Sequence, residues 1–309
     1  VTQYTLTNAR GASVSVINFG GILTNVRVPD RNGVLDDVVL GFDNLASYLA
    51  EHGSMGDTVG RYGNRIAQAR FTIDGVTYQL DANNHGNHLH GVLGKQLWDA
   101  DPVETAVGDL LRLHYVSPDG EEGYPGTLRV MVTYTFTDDN ELLIHYEAVS
   151  DRDTLCNLTN HSYFNLEGEG AGPVTDHVFE FNCDTFTVVD EKCIPTGEQR
   201  DVTGTPFDLR QPTRLADGLA QEETDEQLRF GKGFDHNFNI NDPEAGLRFA
   251  VHVEAPVSGR TMDVFTDMPA VQFYCGNMLE GVNPGACGRL YHKREGFCLE
   301  TQYAPDSIH

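Results

Sequence analysis

An all-β protein, built as a large antiparallel sandwich, is the fold class this sequence predicts. Three observations predict it. Apolar and polar residues alternate with period two in many short runs, Asp/Asn/Gly/Ser clusters separate those runs, and helical periodicity is scarce. No βαβ rhythm appears, which argues against a parallel sheet. Near the start, "SVSVINFGG" and "LTNVRVPDRNG" are strand-then-turn units. "DNLASYLAE", Asp43 to Glu51, reads as one short helix with Asp43 as its N-cap. "FTIDGVTYQL" is a hairpin with Asp74-Gly75 as the two-residue turn. "LRVMVTYTF" puts Leu128, Val130, Val132, Tyr134 and Phe136 on one face and Arg129, Thr133 and Thr135 on the other. "LLIHYEA" follows after "TDDNE" and repeats the alternation, so the two runs read as an antiparallel pair closed by an Asp/Asn-rich turn. "LADGLAQEETDEQ" is an acidic surface segment, a turn of helix or a loop. "LRFAVHVEA", Leu247 to Ala255, alternates again, and "TMDVFT" follows a Ser-Gly turn. The apolar run "GFCL" reads as a strand ended by Glu300.

At 309 residues the chain can bury roughly three quarters of the surface it exposes when unfolded. Length alone admits two domains, but no linker, repeat or low-complexity tract divides the sequence, so one domain over 1–309 is expected. A net charge of −25 argues against DNA and RNA as partners, since binding them rests on Lys/Arg neutralising phosphates. No run of about 18 apolar residues offers a membrane span, and Val1 to Arg10 shows no signal peptide. Six scattered cysteines without a CxxC pair read as reduced thiols acting as small core hydrophobes, so a cytoplasmic location is expected.

Several polar constellations bear on chemistry. "NLTNHSYFNLEGEG" sets His161 among asparagines, hydroxyls and aromatics; a plain structural histidine on a strand is one reading of it. "GRYGNRI" brings Arg61, Asn64 and Arg65 beside two glycines, either to approach a ligand or as a turn with surface arginines. "NNHGNHLHG" holds His85, His88 and His90; the last two would share a strand face, which raises a metal site as an option. "GFDHNF" presents Asp235 and His236 between aromatics. "CLETQYAPDS" carries Glu300, a carboxylate after an apolar run, hence a buried partnered acid or a proton-transfer group. The mix of amides, carboxylates, imidazoles and aromatics suits a polyhydroxylated ligand, whose hydroxyls pair with the former while rings cover C–H surfaces. No GxSxG elbow, phosphate loop or GxGxxG supports cofactor-dependent redox or kinase chemistry.

Together, "GRYGNRI", "NHLHG", "NLTNHSYFNL", "GFDHNF", "QFYCGNML" and "LETQYAPDS" resemble, in order and spacing, the aldose 1-epimerase (galactose mutarotase) family. The opening from Leu6 to Gly33 is similar to that family's first strands, so the resemblance covers nearly the whole chain. It implies one large twisted antiparallel β-sandwich, the galactose mutarotase-like supersandwich, and no metal or organic cofactor. It implies His161 as general acid and Glu300 as general base, with Asn64, Arg65, His90, Asp235 and Gln272 binding a monosaccharide. Ser162 and Tyr163 follow the acid and are expected to line the same pocket. His88 falls where the family often carries another residue. Gly63 stands where the family usually has Ala, and Tyr303-Ala304-Pro305 replaces an aromatic directly before Pro-Asp. Family members continue past the position of His309 through a Pro-rich stretch into a final strand. The implied activity is interconversion of the α and β anomers of free hexoses such as galactose and glucose. The alternatives are a hexose-6-phosphate 1-epimerase of the same fold, which would need an Arg/Lys cluster at the substrate's 6-position, and a non-catalytic carbohydrate-binding protein. No nucleic-acid or membrane partner is implied, and oligomeric state is not legible.

Overall fold

The computed structural model describes residues 1–50, 53–104, 109–281 and 284–309. Four antiparallel sheets of four or five strands make up most of it. Strands Gln3–Thr7, Ser13–Ile17, Ile22–Pro29 and Leu35–Asp37 form an N-terminal meander. Asp99–Val103, Leu110–Ser117, Leu128–Phe136 and Leu142–Ser150 form a second meander. A third sheet orders Thr213–Arg214, Val178–Phe181, Arg248–Glu254 and Thr261–Thr266. The fourth runs Pro195–Asp201, Cys183–Val189, Asp235–Ile240, Ala270–Tyr274 and Cys298–Gln302. Their apolar faces close on one cluster of buried side chains that extends from Leu6 to Phe297, as in a sandwich.

The alternation read from the sequence is realised residue by residue. Leu128, Val130, Val132, Tyr134 and Phe136 are buried, while Met131, Thr133 and Thr135 between them are only half-buried. Each such side chain contributes roughly 1.5–3 kcal/mol by leaving water. The partner strand pairs in register from Leu128↔Ser150 to Phe136↔Leu142. In the hairpin Arg70–Ile73/Val76–Gln79, Asp74 and Gly75 both have positive φ (50° and 79°), as a tight two-residue turn with matching twist requires.

Three local expectations change. The first helix is Leu45–Leu49, and its N-cap is Asn44, whose Oδ1 accepts the Ser47 N–H at 2.9 Å. Asp43 instead accepts from the Asn44 amide, one residue too early to reach an open helical N–H; Glu51 lies outside the described residues. The acidic segment, by contrast, holds a turn of helix as expected, Leu215–Leu219, and leads into a second helix, Glu226–Gly231, capped by the Asp225 side chain. Glu300 does not end its strand: pairing continues to Gln302↔Ala270, which puts the carboxylate mid-strand on an inward face. Cys183, Cys275 and Cys298 are buried as expected of core thiols, but Cys156 and Cys287 are exposed, and no disulfide joins cysteines among the described residues. No helix among the described residues is long and apolar enough to cross a membrane.

Candidate active site

The five-stranded sheet has two unlike faces. Because strand side chains alternate, register places Asp235 opposite Tyr274 and Tyr274 opposite Cys298 in one row. The next row is Asn237, Gln272 and Glu300. The opposite face carries Phe186, Phe238 and Phe273, which stack into the core. His236 belongs to that apolar face. Its Nδ1 accepts the Asp235 N–H at 3.1 Å, its ring lies 4.7 Å from Phe207, and burial pushes its pKa down to about 3. Asp235 and His236, adjacent in sequence, therefore part to opposite sides, and only Asp235 joins the polar floor.

His161 reaches that floor from a separate segment. Thr159–Asn160 pairs with Thr58–Val59, and the His161 N–H donates to the Asp57 carbonyl at 3.0 Å, so the backbone carrying the imidazole is pinned. Nε2 of His161 lies 3.7 Å from Glu300 Oε1, with both side chains buried. Tyr163 and Tyr274 flank the ring, with centroids 5.1 and 6.3 Å from it. The close approach of the segments needs Gly296, where a Cβ would lie 2.8 Å from Leu40 Cδ1 and 2.9 Å from Tyr163 Cβ.

The third contribution comes from a two-residue strand pair, Arg65–Ile66 with His88–Leu89. It ends where Asn64 and His90, both left-handed (φ 65° and 63°), bond to each other: His90 N–H to the Asn64 carbonyl, and Asn64 N–H to His90 Nδ1 at 3.2 Å. Non-glycine residues held in that region are costly and concentrate at functional sites. The ring of His90 then stands edge-on to His161, centroids 5.2 Å apart. Since Nδ1 accepts a backbone N–H, the proton of a neutral His90 sits on Nε2, making that nitrogen a donor. Desolvation, followed by the influence of His161 and Arg65, holds His90 well below the usual imidazole range, so it stays neutral. Arg65 is buried, with Nε donating to Asn84 Oδ1 at 3.3 Å.

Burial drives the Glu300 carboxyl well above its ordinary range; Asp235 adds to this and Arg65 opposes it. Glu300 Oε2 and Gln272 Oε1 are buried acceptors without a hydrogen-bond partner among the described residues. Gln272 Nε2 donates to Asp235 Oδ1 at 2.8 Å, which fixes the amide's direction. Unpaired buried acceptors beside a carboxylate pair call for a ligand rich in hydroxyl donors. Donor atoms of His90, His161 and Glu300 lie within 4.8 Å of one another, close enough to hold a metal ion. The protonated Nε2 of His90 argues against it, because a ligating imidazole nitrogen needs its lone pair.

Of the residues expected at a site, His161, Glu300, Asn64, Arg65, His90, Asp235, Gln272 and Tyr163 are thus linked by contacts or electrostatics. Ser162 is buried, but no hydrogen bond or ion pair among the described residues ties its hydroxyl to this group. His85, His88 and His90 do not converge as a metal site: His88 donates Nδ1–H to the Asp81 carbonyl and packs 5.5 Å from the Tyr124 ring. Arg61 is neither at the surface nor at the site; it is buried, and its guanidinium donates to Ser117, Pro118, Pro125, Gly126 and Thr154. Tyr274 and Cys298 were missed by sequence reasoning. The signal was present, since each lies two residues from a named site residue on the same strand face.

A family model described as aldose 1-epimerase matches residues 2–309. The chain is 46% identical over 298 residues to the galactose mutarotase of Bos taurus, covering 96% of this chain and 83% of that one. It is 34% identical over 305 residues to the aldose 1-epimerase of Escherichia coli strain K12, covering 98% and 86%. Among solved structures it is similar to the GalM/aldose epimerase homologue from C. elegans, with a TM-score of 0.89 at 28% identity, covering 100% and 91%.

Proposed function

The chain belongs to the aldose 1-epimerase family and interconverts the α and β anomers of aldoses; from that premise we propose that Glu300 is its general base, His161 its general acid, and free hexoses such as galactose and glucose its substrates. The observation that carries the reading is the buried pair itself, His161 Nε2 and Glu300 Oε1 at 3.7 Å. Mutarotation needs the anomeric hydroxyl to lose a proton and the ring oxygen to gain one, and both oxygens are bonded to C1. A donor and an acceptor converging on one spot can serve both at once. In the form that reacts, with Glu300 ionised opposite a protonated His161, Glu300 takes the hydroxyl proton as His161 delivers its Nε2 proton to the ring oxygen, and the C1–O5 bond breaks to give the aldehyde. Rotation about C1–C2 presents the other carbonyl face, and the reverse transfers close the ring.

The surrounding groups fit binding and orientation. Neutral His90 offers an Nε2–H donor, Arg65 a guanidinium, and Asp235 and Gln272 acceptors; Tyr163 and Tyr274 supply faces for C–H surface. One dominant core cluster, to which all four large sheets contribute, supports taking the chain as a single domain. Polarimetry on freshly dissolved α-D-galactose, α-D-glucose and α-D-glucose 6-phosphate tests the substrate class. Fast relaxation of the free sugars, with H161N reduced severely and still folded, is the expected result. Preference for the phosphate ester, or full activity in H161N, would refute the reading.

A further inference from the structure

One strand meets His161 at both ring nitrogens. Glu300 Oε1 faces Nε2 at 3.7 Å, and two residues earlier Cys298 Sγ lies 3.5 Å from Nδ1. Cys298 is fully buried. Its place follows from backbone pairing: Phe164 and Phe297 exchange hydrogen bonds of 2.7 and 2.9 Å, which lays the start of this strand beside the segment that carries His161. Among the described residues, His90, Tyr163 on its own segment and Tyr274 on the neighbouring strand also stand against the ring. Asp235 and Arg65 act on Glu300, the group at Nε2.

We propose that Cys298 is a positioning residue for mutarotation, whose thiol holds the His161 ring by Nδ1 so that Nε2 faces the reacting sugar oxygen. This rests on His161 being the acid. A thiol donates its hydrogen or accepts one on sulfur, so it can follow the ring through the cycle. Against the imidazolium, Sγ accepts from Nδ1–H while the Nε2 proton passes to the ring oxygen. The neutral ring left behind keeps its proton on Nδ1 and carries a lone pair on Nε2, which takes the proton back when the sugar closes. The sulfur loses no proton in either direction. Burial, reinforced by Glu300 and Asp235, holds the thiol well above its ordinary range, so no thiolate forms there at neutral pH. A carboxylate in this place, as behind the histidine of a serine-protease triad, would bind the imidazolium tightly and weaken it as an acid. A neutral sulfur orients the ring without that penalty.

The test compares C298A and C298S with the wild-type chain by polarimetry from pH 5 to 9, with thermal unfolding and ¹⁵N NMR of the His161 ring. In C298A, kcat falls roughly tenfold with KM changed less than about twofold, because loss of orientation acts on the transition state. C298S keeps a two-way hydrogen-bond partner and recovers most of kcat. Above its titration the wild-type ring shows one neutral tautomer, and C298A shows a mixture. If C298A fails to fold, C298V, apolar and of similar volume, takes its place. Wild-type kcat in the apolar variant, equal losses in C298S and C298A, or a loss confined to KM would overturn the proposal. Activity surviving in H161N or E300Q would instead overturn the acid–base assignment, so the two failures are told apart.

Discussion

Replacing Glu300 by Gln should make the protein less active and more stable. The glutamine keeps the shape and one acceptor but neither titrates nor takes a proton, so kcat should fall by about 10² to 10⁴. The stability effect follows from the carboxyl's surroundings, buried and beside Asp235. Its folded pKa is raised, so below the ordinary carboxyl range both folded and unfolded chains hold the proton and no penalty exists. As pH rises past that range the unfolded chain ionises freely while the folded one resists, and stability is lost until the folded pKa is passed. The penalty has a ceiling, because the folded chain can always keep Glu300 protonated. That ceiling is about 1.4 kcal/mol per pH unit above 4.5, hence about 3 kcal/mol at pH 7. Spread over the unfolding entropy of a chain this long, it corresponds to at most roughly 5 °C in Tm. The assay pairs polarimetry with thermal unfolding of both chains at pH 4.5, 6 and 8. E300Q should unfold at a higher temperature at pH 8, with the gap closing towards pH 4.5. A gap that widens on acidification, or a Gln variant with wild-type kcat, would refute the picture of a buried base held against its desolvation.

Three further outcomes follow from the geometry. His236, pushed down to about 3, stays neutral in the folded chain where the unfolded chain takes up a proton, so its contribution is present above about pH 6.5 and lost as pH falls; H236N should lose about 2 kcal/mol less than wild type between pH 7 and pH 5 in urea titrations, and parallel losses would contradict it. G296A forces a Cβ to 2.9 Å from Tyr163 Cβ, which is fixed to the backbone, so both Tm and kcat should drop, at about 1–3 kcal/mol of stability; an unchanged kcat would mean that segment does not position His161. G63A meets Gln302 Oε1 at 3.0 Å, Thr159 Cγ2 at 3.1 Å and the Asn157 carbonyl oxygen at 3.3 Å, contacts relieved by shifts of a few tenths of an ångström, so stability should stay within about 1 kcal/mol of wild type; a loss of several kcal/mol would show that these neighbours are locked.

Much of the fold is legible in the sequence because a half-buried strand writes its two faces directly into it. Leu128 to Phe136 sort into inside and outside on alternation alone, and Asp74-Gly75 announces its own turn. The first helix is legible in place but not at its cap: Asp43 and Asn44 are both good caps, and the choice depends on which side-chain oxygen falls opposite the Ser47 N–H. Arg61 is illegible for a different reason. A buried guanidinium is rare enough that a surface arginine is the default, and only tertiary carbonyls from 117–126, distant in sequence, make its burial tolerable.

The candidate site shows where periodicity stops being a guide. Strand register joins Tyr274 to Gln272 and Cys298 to Glu300 and separates Asp235 from His236, a use of alternation the sequence reading did not make at these strands. Applied to His88 and His90 alternation fails, because it assumes extended backbone and His90 has φ of 63°. The chain turns there, His88 goes under Tyr124 and His90 goes to His161. That turn also sets the chemistry. It brings the Asn64 N–H onto His90 Nδ1, and the imidazole that stands against His161 is then a hydrogen-bond donor at Nε2 instead of a metal ligand. A cluster of two histidines and a glutamate, suited by composition to a cation, is thereby biased towards hydroxyl oxygens by one backbone hydrogen bond.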